Sequence, residues 1–168
     1  MMWESYSHIA FQVRDMDAIL TFYCDILGMK KKFVLTTDDI LDYAAEQAAA
    51  GDIPSDEAKA HIEAAKAMAG RPLIVYVEMA PRQFIEFFYC YETLDTPKPL
   101  AQCYGYQHLA LETKDIEAVY AELTHKGIVP DTPINQGPDY TKQFWIHDPE
   151  GNRIEIMEYT DRSFQICR

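Results

Sequence analysis

His8-Ile-Ala-Phe-Gln-Val-Arg-Asp15-Met-Asp-Ala18 returns one hundred residues later as His108-Leu-Ala-Leu-Glu-Thr-Lys-Asp115-Ile-Glu-Ala118. Both copies begin on an alternating stretch and run into a helix capped by aspartate. In the first, Tyr6, His8, Ala10 and Gln12 share one strand face, and Ile9, Phe11 and Val13 share the other. Met16, Ile19, Leu20, Tyr23, Ile26 and Leu27 then recur at helical spacing until Gly28 stops the helix. The second helix runs to Lys126 and stops at Gly127. Each copy finishes on a strand bearing Ile-Glu, Ile85-Glu86 in the first and Ile154-Glu155 in the second. The His-to-Glu separation is 86 − 8 = 78 residues in the first copy and 155 − 108 = 47 in the second. The difference of 31 is close to the 34 residues of the stretch 37–70, so removing that stretch nearly equalises the halves. The pattern predicts an α+β chain of two paired βαβββ modules. The expected organisation is one domain over 1–168, with module one at 5–95, a helical insertion at 37–70, and module two at 104–160.

Outward from the repeat, the stretch 37–70 reads as two alanine-rich helices. Thr37 caps the first and Gly51 ends it; Ser55 caps the second, and Gly70 with Pro72 ends it. Its apolar content is too small for a second core, so it is expected to lie over the domain. Leu73 to Met79 and Gln83 to Tyr91 read as strands joined at Pro81-Arg82. Thr96-Pro-Lys-Pro99 reads as a linker, Ile128 to Pro130 as a short extended piece, and Thr132 to Pro138 as loop. Phe144 to Tyr159 reads as a hairpin. Asp148 opens its turn, Pro149 presets φ, and Gly151 takes the left-handed conformation. Beyond it, Ile154 and Ile156 share one face, and Arg153, Glu155, Met157 and Tyr159 the other.

The chain of 168 residues is 48% hydrophobic, with 11 Tyr and 8 Phe, which suffices for a packed core. A net charge of −12 argues against nucleic acid and anionic membrane as partners. No apolar run reaches membrane-spanning length, and Met-Met-Trp-Glu-Ser-Tyr does not read as a secretory leader. The four cysteines, Cys24, Cys90, Cys103 and Cys167, show no paired spacing, which is expected of thiols in a reducing cytoplasm.

His8, Glu86, His108 and Glu155 are related by the repeat, and paired modules can bring them to one point. Imidazole nitrogen and carboxylate oxygen without thiolate suit Ni²⁺, Co²⁺, Mn²⁺, Fe²⁺ or Zn²⁺. Four ligands on an octahedral ion leave two positions for neighbouring substrate oxygens, and the ion then acts as a Lewis acid. The blander alternatives are hydrogen-bonded core histidines, an Arg partner or an exposed edge for Glu86, and a Lys142 partner for Glu155. Glu86 stands between Phe84 and Phe88, where an unpaired charge is costly. His61 and His125 read as solvated, His147 as bonded to the turn backbone, and Glu158 as facing away from Glu155. The sequence carries no Gly-rich phosphate loop and no nucleophile elbow.

Ser7-His8-Ile-Ala-Phe, Phe22-Tyr23 with Ile26-Leu-Gly-Met29, Phe84-Ile-Glu86-Phe, Gly105-Tyr-Gln-His108-Leu-Ala-Leu and Asp148-Pro-Glu-Gly-Asn-Arg-Ile-Glu155 resemble the vicinal oxygen chelate superfamily. This group holds glyoxalases, bleomycin-resistance proteins and dioxygenases. The likeness covers nearly everything outside the insertion and the tail. A His-Glu-His-Glu set is most similar to bacterial glyoxalase I. The resemblance implies a nickel- or cobalt-favouring lyase that isomerises a hemithioacetal of a 2-oxoaldehyde through an enediolate. Glu86 and Glu155 would then be catalytic as well as ligating. It departs from the glutathione-using members at three places: Gln12 and Tyr104 stand where they carry Arg, and Cys90 where they carry Asn. Gln and Tyr do not replace a carboxylate-binding Arg. The metal chemistry carries over, and glutathione does not.

The expectation is thus a cytoplasmic metalloenzyme acting on a small molecule as a homodimer, with no organic cofactor. The alternatives are an epimerase or extradiol dioxygenase of the same superfamily, or a non-enzymatic module whose aromatic lining (Tyr6, Phe84, Phe88, Tyr106) holds a planar ligand.

Overall fold

A computed structural model describes residues 2, 4–51, 54–91 and 105–167. The expected linker at 96–99, Cys103 and Tyr104 lie outside these residues. The chain divides into two compact units, one of residues 1–16 and 29–91, the other of 17–28 and 92–168.

The first unit is built on a four-stranded sheet. Its strands are β1 (His8–Val13), β2 (Lys30–Thr36), β3 (Pro72–Ala80) and β4 (Gln83–Tyr89), in the order β1-β4-β3-β2. β1 and β4 are parallel; the other pairs are antiparallel. Side chains alternate as a half-buried sheet requires. Phe11, Val13, Val75, Val77, Ile85 and Phe87 are buried, whereas His8, Ala10 and Gln12 are exposed. Each buried Val, Ile or Phe stabilises the sheet by about 1.5–3 kcal/mol.

The second unit repeats this plan with β5 (Leu109–Glu112), β6 (Asn135–Gln136), β7 (Lys142–His147) and β8 (Arg153–Glu158), in the order β5-β8-β7-β6. β5 and β8 are again the parallel pair. Its buried side chains include Leu109, Phe144, Ile146, Ile154 and Ile156, with Ile116 and Leu123 from helix α4 (Ile116–His125). Asp115 caps α4 by accepting from the Ala118 amide at 3.0 Å, and Gly127 follows at φ +91°. Two four-stranded mixed sheets of the same order, with helices, make the chain α+β with two βαβββ modules.

The helix after β1 departs from the simple reading of 16–27. It is α-helical only over Met16–Leu20 (α1) and widens to a π-helical turn at Thr21–Ile26. The Leu27 amide reaches back five residues to the Phe22 carbonyl at 2.9 Å. Residues 17–28 pack in the second unit. There Tyr23, fully buried, donates its hydroxyl to Asp148 Oδ2 at 3.1 Å, and Lys126 Nζ donates to the Ile26 carbonyl at 2.7 Å. Burial raises the Tyr23 phenol far above its ordinary value, with Asp148 adding to it. Asp148 also organises the β7–β8 turn. It accepts from the amides of Glu150 and Asn152 and from the Asn152 side chain, at 2.8–2.9 Å. Gly151 takes φ +84° and donates to the Asp148 carbonyl, as the turn chemistry predicts.

The insertion forms two helices, α2 (Thr37–Ala49) and α3 (Asp56–Ala67). The cap of α2 is Thr36, not Thr37. Thr36 accepts from the Asp39 amide while the Asp39 carboxylate accepts from the Thr36 amide at 2.6 Å, a capping box. Thr37 is instead buried at the root of the insertion, donating to the Met68 carbonyl at 2.8 Å and accepting from the Arg71 amide at 3.1 Å. Ser55 caps α3 as expected. Between α2 and α3 lies an apolar cleft of about 370 Å³, walled by Ile40, Tyr43, Ala44, Pro54 and Ile62.

One further expectation is corrected, the loop at 132–138, which holds a short strand at Asn135–Gln136. Residues 128–130 form no strand, and the Asp131 amide is taken by the Trp145 carbonyl. The tail forms a helical turn, α5 (Phe164–Cys167), whose Phe164 amide donates to the Asp139 carbonyl. Among the described residues no helix is long and apolar enough to cross a membrane. Cys24, Cys90 and Cys167 are thiols.

Candidate metal centre

The parallel register of β1 and β4 sets Ala10 opposite Glu86 and His8 opposite Phe84. His8 and Glu86 thus stand on neighbouring strands, two residues out of step, on one face. His8 Nε2 lies 3.7 Å from Glu86 Oε1. The second unit reproduces this register: Ala110 is opposite Glu155, and His108 precedes Ala110 by two. His108 Nε2 lies 3.3 Å from Glu155 Oε2. Among the described residues no group of three or more His, Cys, Asp and Glu side chains gathers around one point. The structure brings the four candidates together two by two.

Both glutamates are shielded from water, with side-chain exposures of 8% for Glu86 and 13% for Glu155, while both histidines are substantially open. A shielded carboxylate beside an accessible imidazole suits a cation arriving from solvent. Bonds of about 2.1 Å to nitrogen and oxygen set two ligands about 3.0 Å apart at a right angle and about 3.4 Å at the tetrahedral angle. The His108–Glu155 gap falls within that range, and the His8–Glu86 gap closes with a small side-chain rotation. Each pair therefore fits two adjacent positions on a divalent ion. Ser7 Oγ stands 3.3 Å from His8 Nδ1, which leaves Nε2 on the side of Glu86.

The two carboxylates differ in their neighbours. Opposite Glu86 on β3 stands Tyr76, whose hydroxyl bonds the carboxylate; that bond, with burial, pushes the phenol up to about 12. Sequence reading missed Tyr76. Opposite Glu155 on β7 stands Trp145, which is edge-on to the His108 ring at 5.0 Å and carries the Arg153 guanidinium over its face at 3.7 Å. Burial holds the Glu155 carboxyl above its ordinary value, with Asp139 adding to the effect and His108 and Arg153 opposing it.

The competing partners resolve clearly. Lys142, the alternative partner for Glu155, pairs with Glu158 at 3.2 Å, as their cross-strand register requires. Glu158 also accepts from the first amide of α4 at 2.8 Å. His147 bonds the Asp131 carboxylate at 2.7 Å, not the turn backbone. Asp131 is sixteen residues away, and no local pattern marks it. No arginine meets Glu86 among its described contacts.

A sheet order shared by two modules, with a His–Glu pair at the parallel strands of each, defines a two-module α+β protein. The chain belongs to the Glyoxalase/Bleomycin resistance protein/Dioxygenase superfamily, whose model matches residues 5–156. None of the curated proteins matches it. Among solved structures, a glyoxalase family protein from Enterococcus faecalis is similar with a TM-score of 0.64 and 19% identity, over 94% of this chain and 100% of that one. A glyoxalase/dioxygenase from Nostoc punctiforme gives 0.60 and 20%, over 94% and 92%. A lactoylglutathione lyase from Agrobacterium tumefaciens gives 0.56 and 16%, over 94% and 96%. At these identities the likeness establishes the fold.

Proposed function

We propose that the protein is a metal-dependent isomerase of the glyoxalase I type, with His8, Glu86, His108 and Glu155 as ligands of one divalent ion. The set is completed within one chain or across a homodimer. The observation that carries this reading is the identical register of the two His–Glu pairs on their parallel strands. The resemblance to bacterial glyoxalase I favours nickel or cobalt, and the mixed nitrogen–oxygen set is also compatible with zinc, manganese or iron.

When bound, the ion supplies Lewis acidity to two neighbouring substrate oxygens. The chain's own carboxylates move the proton. One glutamate takes it from the carbon bearing sulfur and hydroxyl, and it returns to the adjacent carbonyl carbon. The hydroxyl carbon becomes the thioester carbonyl and the former carbonyl becomes an alcohol, so atoms and electrons balance without an external oxidant. Gln12 and Cys90 offer no cationic anchor for a charged thiol such as glutathione, which favours a neutral thiol adduct.

Elemental analysis after reconstitution with each of the five ions tests the reading. The expected result is one ion per four-residue set, and isomerisation of methylglyoxal hemithioacetals in the nickel or cobalt form. Failure to take up any of these ions would overturn the metal centre; oxygen consumption by the iron form instead of isomerisation would overturn the reaction.

A further inference from the structure

The sheet face that carries Glu86 continues into aromatic rings left open to solvent. Phe33 on β2 stands directly across from Tyr76, and the two rings stack with centroids 4.3 Å apart at 20°. Tyr76 meets Phe84 edge-on at 6.2 Å. Phe88, two residues along β4 from Glu86, faces the same way. Phe33 is 46% exposed and Phe88 36%, although the sheet's other face buries Val75, Val77, Ile85 and Phe87. Tyr76 joins the rings to the site, because its hydroxyl bonds Glu86 while its ring stacks on Phe33. None of the four strands carries an arginine, and Glu78 at the edge of the row is met by Lys32 at 2.9 Å and faces Lys30 on β2.

We infer that this face is a stacking platform for a planar, uncharged aromatic group of the substrate, set beside the vicinal-oxygen end that the His–Glu pairs receive. The inference rests on the metal-centre reading for the position of that second end. Its own ground is the continuity of the exposed rings with Glu86. A flat ring gains from face-on and edge-on contact with Phe33 and Phe84, and a saturated ring of the same size does not gain equally. The lysines beside Phe33, Lys30 and Lys32, are met by Glu78, so the rings themselves offer a flat apolar surface rather than a charge.

Calorimetry with two neutral vicinal diols of the same ring skeleton, 2,3-dihydroxynaphthalene and its saturated counterpart decahydronaphthalene-2,3-diol, tests this on metal-free and metal-loaded protein. The flat diol should bind at least tenfold more tightly in both states. Phe33→Ala should cost it about threefold to tenfold, the span of an aromatic pair contact, and leave the saturated diol unchanged. Phe33→Leu keeps apolar bulk without the ring and should match Phe33→Ala for the flat diol. Metal that tightens both diols while neither variant changes the preference would overturn the platform and spare the metal centre. Metal that tightens neither diol while the Phe33 effect persists would do the reverse. A halving of molar mass by light scattering in Phe33→Ala would also overturn the platform, because the rings would then be a contact between copies of the chain.

Discussion

Glu86→Gln separates a metal ligand from a structural ion pair by the sign of its effect on the metal-free protein. Glu86 is only 6% exposed, so its charge is held largely out of water. Desolvating a carboxylate costs several kcal/mol. Its imidazole partner, His8, is 3.7 Å away with a side chain 49% exposed, and pairs that open to solvent return only about 0–1 kcal/mol. Gln keeps the volume and an oxygen for the Tyr76 hydroxyl, while the charge disappears. In chelator, the variant should therefore match the wild type or exceed it by about 1 kcal/mol in urea unfolding, with an unchanged slope. Metal reverses the order. At one hundred times the wild-type Kd the ion stabilises the wild type by about 2.7 kcal/mol. A ligand loss that weakens binding tenfold leaves the variant about 1.4 kcal/mol. The two curves should cross as metal is added. A variant that loses about 2 kcal/mol or more in chelator, and gains as much from metal as the wild type does, would refute the reasoning and return Glu86 to a structural role.

His108→Ala should likewise weaken metal binding at least tenfold without unfolding the chain, which metal titration and circular dichroism together check. Thr37→Val keeps the shape of a buried side chain but removes the hydroxyl that bridges the Met68 carbonyl and the Arg71 amide, which keep only their bond to each other at 3.1 Å. A loss of about 0.5–1.5 kcal/mol is expected, with faster proteolytic nicking between α2 and α3. The Asp139 carboxyl is held below its ordinary value by hydrogen bonds from Gln165 and Thr141. A lowered folded value means that its contribution is present above the ordinary carboxylate range and lost as pH falls through the lowered one. The Gln165 side-chain amide resonance should thus move with a midpoint below about pH 3.9, and Asp139→Asn should remove that transition.

Much of the architecture is written locally. Gly28, Gly51, Gly70, Gly127 and Gly151 all take positive φ where the pattern asks for a stop or turn. Asp115 and Ser55 cap their helices as read. The His–Glu repeat is visible because it needs only spacing. What escaped depends on pairing between distant segments. Extending the Ala80–Gln83 pairing straight back from the Pro81-Arg82 turn would set Glu86 opposite Val77. An irregularity between Glu78 and Ala80 shifts the register by one and sets it opposite Tyr76 instead. Lys142 found Glu158 for the same reason of register. The Thr36 cap was legible, since Thr36-x-x-Asp39 is a capping-box signature; two adjacent threonines drew the boundary one residue late. The π-helical widening at Thr21–Ile26 has no marker in the sequence.

The route of the chain bears on how the protein is made. Residues 17–28 are synthesised early, yet Tyr23 finds its acceptor in Asp148, 125 residues later. Until β8 has emerged, that segment carries Phe22 and Tyr23 with no completed core to receive them. A cut in the stretch between the two modules would likewise leave the second unit without its first helix and the Asp148 turn without a buried phenol. The two modules resemble each other in sequence and in sheet order, but only the first fragment holds every residue of its own unit. The translating ribosome must release nearly the whole chain before the second unit closes.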